Sequence, residues 1–137
     1  MTARATATTD RRALLSALWV FVLFNYLYGD LAMMIFRPGS YQAIAARMSQ
    51  WLALAATALM ELLIAMVVLV RILKYPVNRR ANIIAGVVGT AFVAVTLSPR
   101  APPFYLFLSV VEMACTVFIV WYAWTWPATA QATDVGA

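Results

Sequence analysis

Residues 51–70 read "WLALAATALMELLIAMVVLV", twenty positions with a single charge, Glu61. As a helix rising about 1.5 Å per residue, such a run is about 30 Å long, the thickness of the hydrocarbon core of a bilayer. Three further runs flank it: 13–36, 82–98 and 103–126, of 24, 17 and 24 residues. The short third run is still within the range of a span. The expected fold is all-α: a transmembrane four-helix bundle, up-down-up-down, with short loops. Residues 13–126 form one membrane domain, and the segments 1–12 and 127–137 read as disordered.

Composition agrees. The chain is 65% hydrophobic and 11% charged, with a mean hydropathy of +0.86. A soluble domain carries about 25% charged residues. The first run is too long for the apolar region of a signal peptide, and no small-x-small cleavage site follows it. It is read as a retained span.

Histidine is absent and Cys115 is the one cysteine. The usual zinc, copper and haem ligand sets and any internal disulfide are therefore excluded. No metal or other cofactor is expected. No nucleophile–base pair stands out, so an enzyme is the last reading. The net charge of +5 flanks the apolar runs. It points to topology and lipid headgroups and not to nucleic acid. With four spans, Arg4, Arg11, Arg12, Arg71, Lys74, Arg79 and Arg80 share one side. Arg37, Arg47 and Arg100 share the other. The positive-inside rule then places both termini in the cytoplasm. Trp51, Tyr122, Trp124 and Trp126 mark interfaces.

The chemistry must sit with the acids. Asp30, Glu61 and Glu112 fall inside apolar runs, and no Lys or Arg lies within a run interior. An ionised carboxylate in hydrocarbon costs several kcal/mol, about 2.5 or more, and such residues are functional candidates. All three are expected in the outer half or middle of the membrane, pointing into one interior region. Glu61 shares its face with Thr57, Ala58 and Ala65, and Glu112 with Tyr105, Ser109 and Thr116. Asp30 has Tyr26 one turn before it, with Asn25 nearby. Asp30 also has a structural alternative, an ion pair with Arg37 on the same face. Ala85, Gly86, Gly89 and Thr90 offer a small-residue surface for close helix packing.

The stretches "LFNYLYGD" (23–30) and "NRRANIIAG" (78–86) resemble those of a family of small bacterial four-span proteins, known as a domain of unknown function. The likeness runs from Arg12 to Trp126. It implies four spans and the bacterial inner membrane, and carries no activity. Two functions are expected from different classes. The first is small-solute or proton-coupled transport using Glu61, Glu112, Asp30, Asn25, Tyr26, Thr57, Ser109 and Thr116. The alternative is a non-transporting accessory or assembly protein that docks a partner through its basic loop. The partners expected are lipid, a second copy or another membrane protein, and a small polar solute or proton.

Overall fold

The computed structural model describes residues 3–127, with side chains from Asp10 onward. The chain is all-helical. Helix α1 spans Ala3–Phe36, α2 Ser40–Ala45, α3 Gln50–Ile72, α4 Tyr75–Thr96 and α5 Pro103–Trp124. No strand occurs among the described residues. Three helical stretches are long and apolar enough to cross a membrane: Asp10–Phe36, Gln50–Ile72 and Pro103–Trp124. Helix α4 is not among them. Asn78, Arg79, Arg80 and Asn82 dilute its first half.

Helix starts differ from the sequence expectation at two places, and both differences have tertiary causes. Helix α1 begins at Ala3, inside the segment expected to be disordered. Arg11 and Arg12 hold this end in place. The Arg11 guanidinium lies 4.8 Å from the centroid of the Tyr122 ring, and Arg12 Nη1 donates to the Arg71 carbonyl at 3.3 Å. Helix α4 begins at Tyr75, so most of the expected basic loop is helical. Pro76 falls in its first turn, where the missing N–H is no loss. The link from α3 is then only Leu73–Lys74. The expected disordered tail lies almost wholly outside the described residues.

The four long helices pack in a ring, α1 on α3, α3 on α4, α4 on α5 and α5 back on α1. Ring neighbours are antiparallel. The start of α1 meets the end of α3, where Ser16 Oγ donates to the Val67 carbonyl at 2.8 Å and accepts from Arg71 Nε at 3.1 Å. The start of α4 meets the end of α5, where Tyr75 donates to the Trp126 carbonyl at 2.7 Å. Glycine sets the α4–α5 spacing. A Cβ placed on Gly86 would come within 2.6 Å of Val120 Cγ2 and 3.2 Å of the Thr116 carbonyl oxygen.

The core is apolar in the middle and polar at the arginine end. Leu15, Trp19, Val22, Leu63, Met66 and Ile119 are fully buried or nearly so. Beside them runs a chain of buried amides. Trp19 Nε1 donates to Asn82 Oδ1 at 2.8 Å, joining α1 to α4 across the ring. Asn82 Nδ2 donates to Asn78 Oδ1 at 2.8 Å, and Asn78 Nδ2 to the Val70 carbonyl at 2.6 Å. Burying these amides is tolerable because each finds a partner.

Candidate functional site

The far end of the ring opens into a cleft of about 240 Å³. Helix α1 contributes Tyr26, Asp30 and Met33, and α5 contributes Tyr105 and Glu112. Met60 of α3 and Phe92, Val93 and Thr96 of α4 form the far wall. Tyr41 and Ile44 of α2 lie over the mouth.

Local geometry explains the arrangement. Tyr26 and Asp30 are four residues apart and stand on one face of α1. Gly29, beside Asp30, lets α5 come close: a Cβ there would stand 3.6 Å from Leu108 Cδ1 and 3.9 Å from Tyr105 Cε2. After α1, Gly39 turns the chain with φ +93°, a left-handed conformation that suits a residue without Cβ. The turn folds α2 back over the end of α1. There the Tyr41 hydroxyl donates to Asp30 Oδ1 at 2.5 Å. Partial burial, reinforced by this bond, pushes the Tyr41 phenol above its ordinary range.

Glu112 is in a different position. It is 5% exposed, and no described side chain donates to its carboxylate. The Thr116 hydroxyl, one turn on, is turned to the backbone carbonyls of Glu112 and Met113 and to Thr90 Oγ1 at 2.7 Å. Tyr26 also lines the cleft, and its hydroxyl is buried without a hydrogen-bond partner. Glu112 therefore faces the cavity with unused hydrogen-bonding capacity. Among the described residues no Lys or Arg lines it.

Of the eight residues singled out from sequence, the cleft brings together Asp30, Glu112 and Tyr26. The expectation of three carboxylates in one interior region needs correction, because Glu61 is exposed on the outer face of α3 with Thr57 and Ala58. Small neighbours suggested a helix interface there. In this chain that side of α3 turns outward, while Leu63, Met66 and Val70 turn in. Thr57 bonds its own helix, its Oγ1 donating to the Ala53 carbonyl at 2.9 Å. Asn25 Nδ2 donates to the Phe21 carbonyl at 3.1 Å and stays off the cleft. Ser109 is buried but does not line it, and Thr116 ties α5 to α4. The alternative partner for Asp30, Arg37, is exposed, and Tyr41 takes that place. Tyr105 was visible in the sequence on the Glu112 face. Tyr41, Met33, Met60 and Phe92 carried no sequence signal, since each reaches the cleft through tertiary packing.

These features define a class: an all-helical protein with three membrane-length apolar helices and an acid-bearing cleft at one end. A family model described as a family of unknown function (DUF6326) matches residues 6–133, and the chain belongs to that family. No curated protein and no solved structure matches it.

Proposed function

We propose that this chain is a four-span protein of the bacterial inner membrane. Its termini face the cytoplasm, and it couples movement of a small solute to proton transfer at the Asp30–Glu112 cleft. Three apolar helices support the membrane placement. Helix α4 completes the set as the fourth member of the antiparallel ring; its 22 residues are about 33 Å long. Arg11, Arg12, Arg71, Lys74, Arg79 and Arg80 gather at the end opposite the cleft, which fits a cytoplasmic face.

The single observation that carries the coupling is Glu112, which is buried, open to a cavity and without a side-chain donor. A structural carboxyl would be tied to a neighbouring hydroxyl or amide. This one keeps its oxygens available to an arriving proton or solute. The titratable groups facing it are Tyr26 and Asp30 from α1, Tyr41 from α2 and Tyr105 from α5. Helices α3 and α4 present only Met60, Phe92, Val93 and Thr96. Among the described residues no basic side chain competes for the Glu112 carboxyl group.

A second reading is favoured by Glu61. An acid on the outer face of an apolar helix is costly against lipid. A partner helix, from a second copy or another membrane protein, would cover it. That reading makes the chain one part of an assembly and is compatible with transport.

Reconstituted vesicles with an internal pH dye test the proposal. Wild-type protein should give solute-dependent proton movement when a solute panel is added. Glu112→Gln, which keeps shape but cannot titrate, should fold and give none. Wild-type vesicles no more permeable than protein-free ones to every solute would overturn it.

A further inference from the structure

The chemistry of the cleft lining narrows its occupant. We propose that the Asp30–Glu112 cleft binds a small amphipathic organic ammonium ion, an inference that rests on reading the cleft as a solute site.

Charge decides the sign of the ligand. Among the described residues, two carboxyl groups line the cavity and no basic side chain does. Arg37 and Arg100, in the loops at this end, are exposed to the surroundings. An anion would meet repulsion with nothing to offset it. The remaining lining decides the type of cation. Tyr26, Tyr105 and Phe92 supply aromatic rings, and a cation over a ring face gains about 0.5–2 kcal/mol, more as water is excluded. Met33, Met60 and Val93 supply apolar and polarizable surface for a hydrocarbon portion. Hard inorganic cations need six or more oxygens around them. Among the described residues no group of three or more His, Cys, Asp or Glu could hold a metal ion. Size agrees as well. A volume of about 240 Å³ equals that of roughly eight waters at about 30 Å³ each, far more than a bare proton requires.

The exchange balances. Where the Glu112 carboxyl carries a proton, an entering ammonium ion takes its place: the carboxyl proton leaves to water, and the carboxylate so formed accepts the ammonium N–H hydrogens. One positive charge enters as one departs. Asp30, already bonded to Tyr41, places a second carboxyl group at the mouth.

Calorimetry on the purified full chain in maltoside micelles tests this with three solutes of nearly equal size: benzylammonium, benzyl alcohol and benzoate. Benzylammonium should bind saturably, about tenfold or more tighter than benzyl alcohol, with release of a proton seen as a dependence on buffer ionisation heat. Benzoate should not bind. Glu112→Gln should abolish the proton release, and Asp30→Asn should weaken benzylammonium severalfold while leaving benzyl alcohol unchanged. Asp30 is exposed, so its variant remains informative if the buried replacement fails to fold. Equal binding of all three solutes, preference for benzoate, or displacement of benzylammonium by equimolar Na⁺ would overturn the inference. The two proposals fail separately. Proton-coupled movement of only neutral or anionic solutes keeps transport and sinks the ammonium ligand. Selective ammonium binding without movement in vesicles keeps the ligand and sinks transport.

Discussion

Gly86 and Gly89 lie one turn apart on α4, both buried, yet alanine should act on them with opposite sign. Each glycine in a helix interior costs about 1 kcal/mol relative to alanine, so each replacement starts with that gain. At Gly89 nothing opposes it. The new methyl would stand 3.6 Å from Thr116 Cγ2 and 4.0 Å from Leu63 Cδ2, ordinary contact distances. Gly89→Ala should therefore stabilise by about 0.5–1 kcal/mol. At Gly86 the methyl would reach 2.6 Å from Val120 Cγ2 and 3.2 Å from the Thr116 carbonyl oxygen. Val120 has a short, stiff side chain, and a helix carbonyl cannot swing aside. Helices α4 and α5 must separate slightly, and overpacking of that kind costs about 1–3 kcal/mol. The clash exceeds the propensity gain, and Gly86→Ala should destabilise by up to about 2 kcal/mol. Thermal unfolding in maltoside micelles, followed by circular dichroism, reads both. Shifts of the same sign for the two variants would refute the packing account of α4 against α5.

Three other expectations are open to measurement. Asn82→Leu removes the acceptor of the buried Trp19 indole N–H and should cost about 1–3 kcal/mol in the same melts; an unchanged midpoint would show that this bond contributes nothing. The Tyr41 phenol is raised from an ordinary value of 10.0, so its protonated form is favoured in the folded chain. Stability from that contact is full below the ordinary phenol value and is lost as pH rises through the raised one, so the wild-type minus Tyr41→Phe absorbance titration should show ionisation beginning above the ordinary range. A transition at or below that range would contradict the Tyr41–Asp30 contact. Glu61→Leu, on an exposed face, should leave the melting midpoint of the monomer within about 0.5 kcal/mol equivalent, whereas a large loss would mean that Glu61 is covered in the folded protein.

Apolar run length is a property of the chain, and the spans 51–70 and 103–126 were legible as α3 and α5 to within a turn. The starts of α1 and α4 were not, because each depends on a contact made elsewhere. Arg11 rests on Tyr122, and Asn78 and Asn82 become helical core by bonding to Val70 and Trp19. Periodicity correctly grouped Glu61 with Thr57 and Ala58, and Glu112 with Tyr105. It could not say which group turns toward a neighbouring helix. That depends on the rotation of each helix about its axis, which is settled by large side chains such as Leu63 and Met66 competing for the centre. Tyr41 shows the same limit from another side: its partner Asp30 sits 11 residues away on a different helix, brought within reach by one turn at Gly39.

The amide chain from Trp19 through Asn82 and Asn78 to Val70 has a consequence for directionality. The cleft opens at one end of the ring, and the amides close the other, with Val22, Leu63, Met66 and Ile119 stacked between them. A solute continuing from the cleft toward the arginine face would have to part this latch. Each buried donor or acceptor so exposed costs about 1–3 kcal/mol unless water or the solute replaces its partner. On the transport reading proposed above, an arrangement open at both ends would be a rare state of the chain, and only an occupant that binds it preferentially could make it common. Under that proposal, a ring of helices with one open mouth and one latched throat would admit a solute to the cleft and hold it there until an occupant changes the balance.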